Sequence, residues 1–329
     1  MKQAVAFIAL VVFIAGCNKG FNRGNPLDPG AINNNTGTGV STTTTTSNEN
    51  YTFMTKWGVS GAGDGQFIAP YGVAVDPAGY IYVADVFRIQ KFSLSGGFIS
   101  KLGSTSSGFG DGEFDTPISV AVDPTGNLYV ADCNNMRIQK FTGAGTFVRK
   151  WGAFGTGDGQ FSSPSGVAVD SLGYVYVSDA DRIQKFDSNG NFITKWGSTG
   201  TGDAQFKSAM TLVVDSSGYV YVSDYNNHRI QKFTSTGVFV TKWGVNGTGD
   251  GQFKYPFGLA LDTAGNVYVS DENNYRIQKF TGAGVFVIKC GVFGIGDGQF
   301  RAPVGIAVDS SGNVYVSDII NYSIQKFRK

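Results

Sequence analysis

Short apolar segments with strand character recur along the chain from residue 51 onward. In the first unit they span residues 72–76, 80–84, 88–92 and 98–102, and turns rich in Gly, Asp and Ser separate them. Val, Tyr and Phe occupy both faces of these segments, as is typical of sheets that are covered on both sides. The pattern predicts a unit of four short antiparallel strands.

The unit occurs six times, at intervals of 45 or 47 residues. One marker is the aspartate of a Gly-Asp-Gly-Gln-Phe turn, which recurs at Asp64, Asp111, Asp158, Asp203, Asp250 and Asp297. A second aspartate closes each predicted second strand, at Asp85, Asp132, Asp179, Asp224, Asp271 and Asp318. Four-stranded repeats of this length predict an all-β fold, a six-bladed β-propeller with antiparallel blades.

The two ends of the repeat region are complementary. The last unit stops after Ile324-Gln325-Lys326-Phe327 and lacks a fourth strand, whereas residues 53–58 match the fourth strand at residues 192–197. We therefore expect the N-terminal strand to complete the last blade and close the ring, which removes the open edges of the array.

Two segments resemble the NHL repeat. They are residues 70–85 and the segment Asn226-Asn227-His228-Arg229-Ile230-Gln231-Lys232-Phe233. The resemblance covers residues 51–329 and implies a six-bladed propeller. Similar propellers occur in ubiquitin ligases, translational regulators, receptor-kinase sensors and the peptide-amidating lyase, so the fold alone does not separate binders from enzymes.

The N-terminal residues predict an export signal. Residues 1–16 carry one lysine followed by an apolar stretch that is too short to cross a bilayer as a permanent transmembrane helix. Ile14-Ala15-Gly16-Cys17 resembles the lipobox of bacterial lipoproteins, which implies lipidation of Cys17 and anchoring outside the cytoplasm, at the outer membrane or cell surface. The alternative is an ordinary secretory signal with an incidental cysteine.

Three domains follow from this division. Residues 1–16 are a lipoprotein signal peptide and residues 51–329 are the propeller. Residues 17–50 comprise the lipidated cysteine and a tether rich in Asn, Thr, Gly and Ser, which has almost nothing apolar to bury and is expected to be disordered.

Composition narrows the function classes. The formal net charge is +1 and only 16% of residues are charged, so we expect no binding of nucleic acid through bulk charge. One histidine and three cysteines in 329 residues exclude a histidine-rich metal centre, a zinc ribbon and a disulfide framework. We expect a monomer without a cofactor or metal ion.

Most charged and aromatic residues occupy recurring positions and are interpreted as packing. Each aspartate that ends a second strand precedes an arginine that opens the third, its expected partner, except that blade six has Ser323 there. The Gly-Asp-Gly turns could hold calcium through their carboxylates, but Asp before Gly in a tight turn is the simpler interpretation.

One end of the predicted propeller varies among the six units. It is formed by the loops between strands two and three and the loops that join successive blades, and we call it the variable face. Ten aromatic residues outside the repeat positions fall there, namely Tyr71, Phe87, Phe109, Phe154, Tyr225, Tyr255, Phe257, Tyr275, Phe293 and Tyr322. Aromatic residues on variable loops above a rigid scaffold are typical of recognition surfaces. The alternative is that they cap the core.

The positions that lead into the innermost strands are expected to surround the axial mouth. They are Tyr71, Ile118, Ser165, Met210, Phe257 and Val304, which include none of the acidic, amide or histidine ligands of enzymatic propellers. Lys207, Lys254 and Arg301 follow three of the Gln-Phe turns and form a small basic arc. His228 is alone and is interpreted as structural.

These observations predict a non-catalytic protein that binds a protein, peptide or glycan partner through the variable face. The candidate contacts are Tyr71, Phe87, Lys207, Met210, Tyr225, His228, Lys254, Tyr255, Phe257, Tyr275, Arg301 and Tyr322. The alternative is a metal-dependent lactonase or lyase with calcium or zinc on the axis.

Overall fold

The computed structural model describes residues 51–329, which form six four-stranded antiparallel sheets. From the innermost strand outward, blade one comprises Pro70–Val75, Ile81–Asp85, Arg88–Phe92 and Phe98–Gly103, and blade two comprises Pro117–Val122, Leu128–Asp132, Arg137–Phe141 and Phe147–Trp151. Blade three comprises Pro164–Val169, Val175–Asp179, Arg182–Phe186 and Phe192–Trp196, and blade four comprises Ala209–Val214, Val220–Asp224, Arg229–Phe233 and Phe239–Trp243. Blade five comprises Pro256–Leu261, Val267–Asp271, Arg276–Phe280 and Phe286–Cys290.

Blade six is assembled from both ends of the described chain. Its first three strands are Pro303–Val308, Val314–Asp318 and Ser323–Arg328, and its outermost strand is the N-terminal segment Thr52–Trp57. The register pairs Thr52 with Arg328 and Trp57 with Ile324. The predicted fold and ring closure are confirmed.

The strand boundaries in blade one differ slightly from those predicted. The first strand begins at Pro70 rather than residue 72, and the second and fourth strands end one residue later, at Asp85 and Gly103. The first strand starts early because Pro70 already pairs with Asp85, across a register shift that the apolar pattern does not reveal.

The remaining regular elements lie in the loops of the variable face. Ser198–Thr199 pairs with Gln205–Phe206, and Val292–Phe293 pairs with Gln299–Phe300, in short parallel ladders. The 3-10 helices Tyr225–Asn227 and Glu272–Asn274 join the second and third strands of blades four and five. Residues 51–329 contain no helix that is long and apolar enough to cross a membrane.

Each innermost strand packs against the innermost strand of the next blade around the axis. The close approach depends on glycine: a Cβ on Gly72 would lie 2.7 Å from the carbonyl oxygen of Ile118, and a Cβ on Gly305 would overlap that of Tyr71. Buried aromatic side chains fill the space between neighbouring blades, as in the cluster that joins Tyr315 of blade six to Phe67 and Phe92 of blade one.

Candidate binding face and axial channel

A buried aspartate holds the loops of the variable face in place in each blade. In blade one, Asp85 Oδ1 accepts hydrogen bonds from the N–H groups of Ile68 and Ala69, both at 2.8 Å. Arg88 donates its Nε–H to Asp85 Oδ2 at 2.9 Å and an Nη2–H to the carbonyl oxygen of Gln66 at 2.8 Å. The predicted aspartate–arginine pairs are confirmed in blades one to five. Each aspartate–arginine pair flanks the loop between strands two and three and bonds to the loop that leads into the first strand. The two kinds of loop therefore lie at the same end of the propeller.

An asparagine strengthens this network in four blades, and its role is not evident from the sequence pattern alone. In blade four, Asn227 Nδ2 donates to Asp224 Oδ2 at 2.9 Å and to the carbonyl oxygen of Gly200 at 2.8 Å. Equivalent pairs of bonds are made by Asn135, Asn274 and Asn321. Blades one and three have two-residue loops at this point and contain no such asparagine. The recurring Asn therefore links the loop to the aspartate.

The aspartates of the Gly-Asp-Gly turns form ion pairs with lysines of the outermost strands. Lys101 Nζ lies 2.6 Å from Asp64 Oδ1, and Lys56 of the closing strand lies 3.3 Å from Asp297 Oδ1. The other four blades repeat the pair. Within residues 51–329, no group of three or more His, Cys, Asp or Glu side chains could hold a metal ion. The calcium alternative for these turns therefore gains no support from their geometry.

The candidate aromatic and apolar residues separate into two groups. Tyr71, Met210, Tyr225 and Phe257 are buried, with exposures of 4% or less. Phe87, Tyr255, Tyr275 and Tyr322 are partly exposed. The partly exposed group is therefore available on the surface, and the contribution of the buried group to binding stays a prediction.

The most exposed aromatic residues lie on the loops between blades. Phe109, Phe154 and Phe293 are 73%, 76% and 62% exposed, and Tyr275 packs edge-to-face on Phe293 with ring centroids 4.9 Å apart. The three phenylalanines are among the ten variable aromatics but not among the twelve candidate contacts. The signal that distinguishes them is their position in the glycine-rich loops that join successive blades.

His228 lies in a small aromatic group between blades four and five. Its Nδ1 accepts a hydrogen bond from the N–H of Tyr255 at 3.2 Å, and its ring lies 4.7 Å from that of Tyr255. Tyr255 in turn stacks on Tyr225, whose hydroxyl donates to Glu272 Oε2 at 2.8 Å. Burial lowers the pKa of His228 below its ordinary value. A neutral ring that accepts a backbone hydrogen bond is typical of a structural histidine.

The basic arc occupies three equivalent positions. The backbone N–H groups of Lys207, Lys254 and Arg301 donate to the aspartates that end the second strands, at 2.7 or 2.8 Å. Lys207 is exposed, and the side chains of Lys254 and Arg301 are partly exposed. None of the three side chains forms an ion pair within residues 51–329, in contrast to the outer-strand lysines. These cations therefore keep their charge available at the variable face.

An axial channel runs between the six innermost strands, with a cavity of about 300 Å³. Its described walls are formed by Val, Ala, Leu, Ile, Gly and Phe together with the hydroxyl residues Ser119 and Thr211. Thr211 Oγ1 donates to the carbonyl oxygen of Phe257 at 2.5 Å, and Ser119 Oγ accepts from the N–H of Val167 at 3.2 Å. Among residues 51–329, the side chains that line this channel include no carboxylate or imidazole, the groups that calcium and zinc prefer as ligands.

Comparisons with known proteins agree with the repeat analysis. The NHL repeat family model matches residues 114–141, 211–233, 253–280 and 300–327, which lie in blades two, four, five and six. These are the blades whose second loop contains the asparagine described above. No curated protein matches the chain.

Several solved structures share the fold at low sequence identity. A protein of unknown function from Bacteroides thetaiotaomicron is 17% identical with a TM-score of 0.64, over 84% of this chain and 75% of that one. An auxiliary nutrient binding protein from the same organism is 16% identical with a TM-score of 0.61, over 80% and 69% of the two chains.

An enzyme is also among the similar structures. A catalytically inactive variant of virginiamycin B lyase from Staphylococcus aureus, solved with quinupristin, is 14% identical with a TM-score of 0.57, over 79% of this chain and 95% of that one. Identities this low establish the fold and leave the activity open. The chain therefore contains NHL repeats, matched in four blades, within a six-bladed β-propeller.

Proposed function

We propose that this protein is a non-catalytic cell-envelope lipoprotein whose propeller binds a protein, peptide or glycan through the variable face. The observation that carries the proposal is the concentration of highly exposed phenylalanines there: Phe109, Phe154 and Phe293 all lie on loops between blades. Exposed aromatic rings cost free energy in water, so their clustering at one end of a rigid scaffold favours a recognition surface.

The basic arc adds positive charge to the same face and supports an anionic or polar partner. Lys207 is exposed and, with Lys254 and Arg301, forms no ion pair within the described residues, whereas the six outer-strand lysines are all paired. A face that carries both exposed aromatic rings and unpaired cations suits acidic glycans and peptides that carry carboxylates.

The similar structures include a nutrient binding protein and a lyase. Their sequence identities to this chain are so low that the similarity establishes the fold alone. The metal-dependent alternative has less support in the donor set, because the described channel wall offers two hydroxyl side chains and no carboxylate or imidazole. His228, the one histidine of the chain, accepts a hydrogen bond from a backbone amide. We therefore favour binding over catalysis.

A surface variant tests the binding proposal. The triple variant F109A/F154A/F293A should abolish binding of a glycan or peptide detected on arrays with the wild-type protein, while the melting temperature stays within about 2 °C, because exposed side chains contribute little to stability. A matched control is M54A/I193A/V240A, which removes exposed apolar side chains from the circumference. Equal binding by the wild type and the face variant would refute the assignment of this surface.

We also propose that Cys17 is lipidated and that residues 18–50 form a tether. Both features lie outside the described residues. The proposal rests on the Ile14-Ala15-Gly16-Cys17 motif after an apolar segment. Metabolic labelling with a fatty-acid analogue should mark the wild type and not C17S, and a soluble, unlabelled wild-type product would contradict lipidation.

A further inference from the structure

In four blades, a tryptophan side chain packs against the next blade. Trp57, Trp151, Trp196 and Trp243 end the outermost strands of blades six, two, three and four. Each indole packs against the second-strand tyrosine of its own blade, with ring centroids 6.2 to 6.4 Å apart. It also lies directly on a glycine of the hairpin between the third and fourth strands of the next blade, at Gly96, Gly190, Gly237 and Gly284 respectively, where a Cβ would overlap the ring.

Blade one departs from this arrangement because Leu102 occupies the tryptophan position. The glycine that faces it is Gly145, and the equivalent tyrosine is Tyr82. A cavity of about 170 Å³ lies at this point between blades one and two. Its lining includes Tyr82, Ile89, Leu102, Leu128 and Gly145. At the preceding junction, the counterpart of Leu102 is Trp57, and the counterparts of Tyr82, Ile89 and Leu128 belong to the core cluster against which Trp57 packs.

The cavity has the size of an aromatic binding site, and its lining combines the apolar side chains of Ile89, Leu102 and Leu128 with Lys91, Ser100 and Lys101 near the opening. Engineered apolar cavities of about 150 Å³ bind benzene. Exposed outer-strand residues, including Ile99, border this cavity and make it accessible from the circumference of the ring. At the four junctions that contain a tryptophan, the buried indole Nε1 atoms have no hydrogen-bond partner within the described residues. The space that an indole fills there requires no hydrogen-bond acceptor.

We propose that the cavity between blades one and two binds a small, planar, uncharged aromatic molecule of indole size, separately from the variable face. The ring lies beside Leu102 and Tyr82, in the part of the space that the larger tryptophan side chain fills at four other junctions and that Leu102 leaves open. Recognition comes from shape and from edge-to-face contact with Tyr82, because the cavity offers the counterpart of the Trp57–Tyr315 contact.

Calorimetric titration of the purified full chain with indole tests the proposal. The wild type should bind one indole saturably. L102W should fill the cavity, lose measurable binding and raise the melting temperature by about 2 °C or more, because a filled cavity restores lost contacts. W196L is the matched variant, since it opens the equivalent space between Tyr176 and Gly237 and should raise the stoichiometry to two.

The outcomes separate clearly. Loss of binding in L102W with a second site in W196L supports the proposal. Absence of saturable binding to the wild type, or unchanged binding to folded L102W, overturns it. If L102W does not fold, W196L decides: two sites support the cavity as the binding site, and a single site overturns it.

Discussion

Asp318 and Ser323 face each other across the second and third strands of blade six, in the register where the other blades pair an aspartate with an arginine. In blade five, Arg276 donates its Nε–H to Asp271 Oδ2 at 2.8 Å. Ser323 is too short to replace that guanidinium, and its buried Oγ has no hydrogen-bond partner within residues 51–329. Burial raises the pKa of Asp318 above its ordinary value, against the hydrogen bonds it accepts from backbone N–H groups.

Replacing Ser323 with arginine should therefore stabilise the closing blade. The new guanidinium would pair with Asp318 and reach the loop carbonyl oxygens, as Arg276 does in blade five. We expect S323R to increase the free energy of unfolding by about 1–2 kcal/mol, since hydrogen bonds to charged groups contribute about 1.5–3 kcal/mol each before the cost of ordering the side chain. Chemical denaturation measures this change, and R276S, expected to lose about 3–5 kcal/mol, is the reciprocal variant.

The stabilisation by S323R should depend on pH. In the wild type, the pKa of Asp318 is higher in the folded state than in the unfolded chain. As pH falls through this pKa the folded state takes up a proton, so the contribution of Asp318 to the free energy of unfolding increases. In S323R the new guanidinium lowers the pKa of Asp318 relative to the wild type, although burial also raises the pKa of the arginine-paired Asp271. The advantage of S323R over the wild type therefore shrinks as pH falls and Asp318 of the wild type takes up a proton. The difference in melting temperature between the two proteins should narrow from pH 7 to pH 4; a difference that widened would contradict the pairing.

A buried serine joins the first and last blades of the ring. Ser317 Oγ donates to the carbonyl oxygen of Tyr71 at 2.5 Å and accepts the N–H of Gly305 at 2.8 Å. S317A should lower the free energy of unfolding by about 1–2 kcal/mol because it leaves these polar groups without a partner. Denaturant titration measures the loss, and S310A, at an exposed turn position, should change stability by less than about 0.5 kcal/mol.

The same bond can be added where it is missing. Ala84 occupies the serine position in blade one, and the carbonyl oxygen of Ile118 lies close to the adjacent Gly72. A84S should increase the free energy of unfolding by about 0.5–1.5 kcal/mol if the hydroxyl donates to that oxygen. A destabilised A84S protein would show that the two blades are spaced differently from blades six and one.

The N-terminal strand should make a large contribution to ring stability through Trp57. Its indole packs 6.4 Å from the ring of Tyr315 and 6.1 Å from that of Phe92, so it connects blade six with blade one. W57A should cost about 3 kcal/mol, near the lower end for a large aromatic deletion because the side chain is only partly buried. Thermal unfolding measures the effect, with M54A on the exposed side of the same strand as the neutral control.

The axial packing should tolerate no side chain at Gly305. A Cβ there would overlap the carbonyl oxygen of Tyr71 and push apart the innermost strands of blades six and one. G305A should destabilise the protein by about 1–3 kcal/mol, as overpacking does. G97A is the control, because its Cβ would meet only the hydroxyl of Ser93, at 3.2 Å. Equal melting temperatures for the two variants would contradict the close approach of the strands.

The sequence by itself determined the blade count, the four strands of each blade and the closure of the ring. These features are repeated local patterns: an aspartate at each turn, an alternation of strands and turns, and a fourth strand present at one end and missing at the other. The aspartate–arginine pairs were also predictable, because the two residues flank one short loop.

The tertiary structure decided what depends on residues far apart in the chain. Tyr71 and Phe293 are both aromatic residues of variable loops, yet one is 4% and the other 62% exposed. Gly305 is required because a strand more than two hundred residues earlier lies against it. Leu102 marks a cavity only because Gly145 and Leu128 of the next blade face it. Local periodicity specifies strands and turns, whereas exposure, close approach and cavities arise from the contact of neighbouring blades.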